Sequence, residues 1–208
     1  GIGTYTVTAT YEDSINFGIA TATLTIVPKK VAIPAADTTV FTYDGNAKTY
    51  GIADTADYTV TGNSQTNAGD HTVTVALKDK ATTAWADGTT ADKTYTFTIK
   101  QATPTGEPKY TEIKTGGKTL ADAALTIEGS TLKPNAGTLV WVDNAGNVLP
   151  ATTTVEANNT YKWLFTPTDT NYTTLTGSIQ LWHKSTSSGG GSYYAPVVPD
   201  MPMVYWGC

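Results

Sequence analysis

The residues able to do chemistry are few and scattered. Two histidines, His71 and His183, are the side chains suited to act as a general base near neutral pH, and neither stands at a telling spacing from a nucleophile and an acidic partner. Carboxylates occur singly, as Glu107, Glu112, Glu128 and Glu156, or in turns, as Asp44, Asp143 and Asp169. Nothing in that spacing brings two of them together for acid–base cleavage of a glycoside. The neighbours Glu12 and Asp13 could touch a calcium ion, but oxygen-rich residues with a glycine at ligand spacing are missing around them. A single cysteine, Cys208, rules out an intrachain disulfide and a cysteine-built metal cluster. The expectation is therefore a chain with no catalytic residue, no cofactor and no metal site.

Aromatic side chains are the better candidates for contact with a ligand. Trp85 and Tyr172 fall in expected loops after two strongly alternating strands, where a ring could stack on a sugar or on a partner chain; for Trp85 the competing role is to cap its own core. Trp141 and Trp163 lie inside strand patterns and read as core. His71 continues the face of Val73 and Val75 and reads as a packed or corner residue, and His183 as a surface residue at a strand end.

The elements that must position these residues are strands. From Tyr5 to Tyr11 odd positions are apolar or aromatic and even positions are threonine, the period of two of a half-buried strand. The design returns at His71–Leu77 and at Tyr161–Phe165, and each copy is followed by a polar connection and a second strand, at Ala22–Ile26, Tyr95–Ile99 and Ile179–Trp182. Three such hairpins suggest an internal repeat. Further strands are expected near Thr39–Tyr43 and Asp57–Thr61, then at Tyr110–Ile113, Ala124–Ile127, Gly137–Val142 and Gly177–Trp182. In immunoglobulin-like sandwiches an aromatic near the start of such a hairpin braces the corner through a hydrogen bond to upstream backbone, a role that fits Tyr5 and Tyr161.

Composition agrees with an all-β chain. About a fifth of the 208 residues are threonine, whose branched side chain fits a pleated surface and whose hydroxyl keeps the outer face wet. Net charge is −5 with a pI near 4.9, and the basic residues are dispersed apart from Lys29-Lys30. No stripe suited to nucleic acid and no apolar run of about 18 residues suited to a bilayer span is present in the sequence.

Four segments follow: residues 1–28 as the closing hairpin of a preceding repeat, with Gly1-Ile2-Gly3 unlike a signal peptide; 29–100 and 101–184 as two repeats, divided at the proline-containing stretch Gln101–Pro108; and 185–208 as a Ser/Gly linker and extended tail.

The segment Phe41-Thr42-Tyr43-Asp44-Gly45-Asn46-Ala47-Lys48, with Tyr58-Thr59-Val60 and Thr66-Asn67-Ala68-Gly69, resembles the Tyr-Asp-Gly type of bacterial immunoglobulin-like repeat related to the MBG domains. It departs from the family at His71, where tyrosine or threonine is commoner. Thr138-Leu139-Val140-Trp141 and Phe165-Thr166-Pro167-Thr168-Asp169-Thr170-Asn171-Tyr172 look like a second repeat from the same kind of surface protein, and Gly189-Gly190-Gly191-Ser192 with Tyr194–Pro199 resembles the spacer that precedes S-layer homology modules in some Firmicutes.

The resemblance implies tandem immunoglobulin-like sandwiches of a secreted, Gram-positive cell-surface protein, non-catalytic and acting as a stalk beside neighbouring repeats. Two other roles go with it: an adhesin module whose loops hold mucin glycan or a host surface protein through Trp85 and Tyr172, and an accessory part of a multidomain surface enzyme.

Overall fold

The structure, a computed structural model, describes residues 1–184, so the linker and tail expected over 185–208 lie outside the described residues. Within them the protein is all-β, and the threonine-alternating segments form its longest strands.

The first two strands, Gly3–Glu12 and Phe17–Ile26, pair antiparallel along their whole length. Directly opposed residues share a face, so Tyr5 with Leu24 and Val7 with Ala22 make an apolar side while Thr6 with Thr23 and Thr8 with Thr21 make a hydroxylated one. The connection closes on Asp13, whose carboxylate accepts the N–H groups of Ile15 at 2.8 Å and Asn16 at 2.7 Å. Glu12 thus ends a strand and Asp13 organises its own turn.

A four-stranded sheet follows, in the order Phe41–Thr42, Lys93–Lys100, Gly69–Leu77, Tyr58–Thr61. The first pairing is parallel and the other two antiparallel. Val73, Val75, Phe97 and Ile99 turn inward, and Thr72, Thr94 and Thr96 turn to water. Two short ribbons close over the inner face. Lys29–Val31 runs parallel to Thr83–Trp85, and Lys48–Thr49 pairs antiparallel with Ser64–Gln65, delivering Val31, Trp85, Tyr50 and Ile52 to the core. The Tyr50 hydroxyl, carried inward with its ring, accepts the Asp37 N–H at 2.9 Å.

A second core is built on the sheet Gly137–Val142, Thr160–Pro167, Leu175–Gln180, with a short antiparallel pair, Lys109–Tyr110 and Leu125–Thr126, beside it. Trp141 and Trp163 sit directly opposite one another and are buried, as their strand positions predict. Trp141 Nε1 donates to the Ala123 carbonyl at 3.1 Å. Gly177 faces Trp163 on the next strand because the indole lies across it: a Cβ there would stand 2.3 Å from the ring. The two cores share no residue.

Several strands differ from expectation. Over Thr39–Tyr43 only Phe41–Thr42 pair, because the Asp37 carboxylate takes the Thr39 N–H at 2.8 Å and holds the chain in a turn. Ala124–Ile127 shortens to Leu125–Thr126, and Tyr110–Ile113 becomes the pair at Lys109–Tyr110 plus a lone bridge from Ile113 to Trp182. The last strand starts earlier than expected, at Leu175, and ends at Gln180.

The corner bonds form at all three hairpins. Tyr5 donates to the Gly1 carbonyl at 2.8 Å, and Tyr161 donates to the Thr154 carbonyl at 3.2 Å while accepting the Glu156 N–H at 2.8 Å. At the departing position His71 Nε2 lies 2.8 Å from the Asn67 carbonyl; since a carbonyl only accepts, Nε2 carries the proton there.

Candidate functional site

Several of the polar residues singled out in the sequence are used by the fold itself. His71 is spent on its corner bond, its ring tilted over Phe97 at 5.3 Å, and His183 is exposed in a different part of the chain. Asp44 binds the Lys48 ammonium at 2.6 Å and the Asn46 N–H at 2.9 Å, which together hold its carboxyl below the usual range. Asp143 closes the turn that its sequence predicts, accepting from Ala145 and Asn147, both at 2.8 Å. Among the described residues no three of His, Cys, Asp and Glu gather into a group able to hold a metal ion.

Of the two aromatic candidates, Trp85 has to be corrected. It is not a loop residue open to a ligand: it ends the strand Thr83–Trp85 and is 0% exposed. Its ring packs against Tyr58 at 5.8 Å and its Nε1 donates to the Ala91 carbonyl at 2.8 Å, so both the apolar body and the polar tip are satisfied inside. The core-capping role is the one it performs. Tyr172 is half-buried and meets Tyr43 edge to face, with ring centroids 5.5 Å apart and planes at 80°.

Main-chain pairing makes these two residues equivalent. Val31 pairs in parallel with Trp85, and its carbonyl accepts the Ala86 N–H at 2.8 Å; Ala102 pairs in parallel with Tyr172, and its carbonyl accepts the Thr173 N–H at 2.9 Å. Each core is thus opened by the same device, an entering segment laid beside the connection that follows its corner strand. Only the side chain's destination differs.

Around Tyr172 the boundary between the cores is dense in polar contacts. Asn171 Oδ1 accepts the Ala68 N–H at 2.7 Å, and Gln101 Nε2 donates to the carbonyls of Thr170 at 2.8 Å and Tyr172 at 3.2 Å. Desolvation first, then the nearby Asp169 charge, pushes the Tyr43 hydroxyl up from its ordinary value. Beside this boundary lies a cleft of about 370 Å³ lined in part by Gly69, Asp70, Lys100 and Thr170. Asp70 already accepts the Thr98 hydroxyl at 2.5 Å. The cleft offers hydrogen-bonding groups, among them this Thr98–Asp70 pair, both of which line it.

Sequence reasoning does not single out Tyr43, Gln101 or Asn171 as a contact set. The only signal is that Tyr43 and Asn171 belong to the two motif segments and Gln101 to the expected boundary; nothing in linear order says that the motifs face each other. Compared with protein-family models, with curated proteins and with solved structures, the chain matches none.

Proposed function

We propose that this chain is a run of non-catalytic spacer repeats, tandem immunoglobulin-like sandwiches of a secreted bacterial cell-surface protein that hold a distal module away from the Gram-positive wall. The observation that carries this reading is serial construction. Two hydrophobic cores follow one another along the chain, share no residue, and are each opened by the same parallel pairing of an entering segment, Val31 on Trp85 and Ala102 on Tyr172. Units built in this way lengthen a molecule without needing a ligand. Neighbouring repeats of the same chain are the partners this reading supplies.

The competing reading, retention of mucin glycan or a host protein by loop aromatics, loses Trp85 as a contact and leaves Tyr172 engaged with Tyr43. Two measurements separate the readings. Placed between a wall anchor and an epitope tag on a cell surface, the chain should expose the tag to antibody better than a Gly/Ser linker of equal residue number; equal exposure counts against a spacer. On a glycan array that includes mucin glycans the chain should stay silent, and a hit abolished by Tyr172→Ala would move the conclusion to adhesion.

A further inference from the structure

We infer that the boundary between the two cores is a locked joint: Tyr43 and the Asn67-Ala68 turn of the first unit receive Asn171 and Tyr172 of the second, fixing the angle between them. As a property of a spacer this deepens the reading above and rests on it; the joint itself rests on geometry.

The linker is too short to swing. The sheet of the first core ends at Lys100 and the bridge to Tyr172 begins at Ala102, so Gln101 alone lies between them. Its backbone neighbour is tied down, Ala102 N donating to the Asn171 carbonyl at 2.9 Å, and its side chain is bonded to the same loop.

The Asn171 amide is oriented before it reaches across. Asp169 Oδ1 accepts both the Asn171 backbone N–H at 2.9 Å and its Nδ2 at 2.8 Å. A carboxylate can only accept, so the nitrogen end faces Asp169 and the oxygen end must face Ala68 N–H, which it meets at 2.7 Å. A pre-set acceptor loses little side-chain freedom on docking. Tyr43 is equally rooted on its own side, where its N–H donates to the Lys100 carbonyl at 2.9 Å and Phe41 and Thr42 pair with Ile99 and Lys100. Two stiff elements thus meet through the Asn171 amide, whose oxygen accepts from Ala68 N–H and whose nitrogen donates to Asn67 Oδ1 at 3.4 Å, and through one aromatic pair.

The other junction lacks these features. Between the hairpin strand ending at Ile26 and the strand beginning at Lys29 stand Val27, 69% exposed, and Pro28, and the hydrogen bonds of the hairpin side chains remain within residues 1–26.

The test is a distance distribution between spin labels at Ala56→Cys and Asn144→Cys, exposed turn positions on the two units, in a Cys208→Ser background. The otherwise unmodified chain should give one narrow peak, and both Tyr43→Ala and Asn171→Ala should broaden it at least twofold while near-UV circular dichroism stays unchanged. If Tyr43→Ala loses that signal, Tyr43→Leu, which keeps apolar bulk but not the aromatic edge, is read in its place. A broad peak in the unmodified chain, or variants as narrow as it, overturns the lock. A narrow peak combined with failure of the surface-display experiment would remove the spacer use and leave the joint standing, so the two failures are distinct.

Discussion

The N-terminal hairpin and the central pair of the four-stranded sheet are the same local construction with opposite outcomes. In both, alternating strands pair antiparallel, with Tyr5 opposite Leu24 in one and His71 opposite Phe97 in the other. Yet Val7 is 50% exposed and Val73 is 0% exposed. The difference lies in what covers the apolar side. Over Val73 and Val75 lie Val31, from a segment before the sheet, and Tyr50 and Trp85, from connections between its strands, whereas the corresponding face of the hairpin is open among the described residues. Alternation builds a two-sided ribbon; only distant segments turn one side into a core, and a lone two-stranded ribbon is marginal in water.

The largest test of this contrast is truncation of an aromatic in the covered region against an aliphatic in the open one. Trp85→Ala should cost about 3–5 kcal/mol, since it removes a fully buried ring and leaves the Ala91 carbonyl without its donor. Val7→Ala should stay within about 0.5 kcal/mol. Urea melts of both variants read the pair, and a Val7→Ala penalty as large as that of Trp85→Ala would break the comparison.

A matched pair of glycines gives the next effect. Each stands opposite an aromatic on the neighbouring strand, Gly177 opposite Trp163 and Gly18 opposite Tyr11. A Cβ at Gly177 would meet the indole at 2.3 Å, while one at Gly18 meets nothing within 4 Å. Gly177→Ala should therefore destabilise the second core by about 1–3 kcal/mol through overpacking. Gly18→Ala should raise hairpin stability by about 0.5–1 kcal/mol, because alanine loses less backbone freedom in a strand. Thermal melts followed by near-UV and far-UV circular dichroism distinguish the two.

The smallest expected effect is in acid. The Lys93 ammonium first, then the Thr89 backbone and hydroxyl, hold the Asp87 carboxyl well below the usual carboxylate range. A depressed folded-state value means that the contribution is present above the unfolded value of about 3.9 and is lost as pH falls through the folded one. Between pH 7 and pH 2 the melting temperature of the chain should fall, and Asp87→Asn should flatten that fall slightly, as suits a solvent-exposed pair. Asp13, held low first by the Tyr11 hydroxyl, belongs to the hairpin, so Asp13→Asn should leave the melting of the cores unchanged. A shift in core melting from Asp13→Asn would show that the hairpin is energetically joined to them.

Local chemistry was the readable part. The strands at Gly3–Glu12, Gly69–Leu77 and Thr160–Pro167 follow from alternation, the Asp143 turn from its carboxylate, and the corner bond of Tyr161 from a hydroxyl within reach of backbone five and seven residues upstream. Trp141 and Trp163 were legible as core because their strands declare which side is apolar. The candidate site was far less legible. Trp85 looked like a loop aromatic because its strand is three residues long and its partner, Val31, lies more than fifty residues earlier.

What the sequence by itself determined, then, is the all-β character and the hydrogen bonds that close turns and the corners at Tyr5 and Tyr161, because each depends on groups within a few residues of one another. Tertiary structure alone decided which apolar faces are covered, and why two residues with the same main-chain pairing diverge, Trp85 into a core and Tyr172 onto Tyr43 of the neighbouring unit. The physical reason is that burial and docking are set by atoms far away in the chain. Asn171 and Ala68 meet at 2.7 Å across 103 residues, a separation that no local period of two can encode.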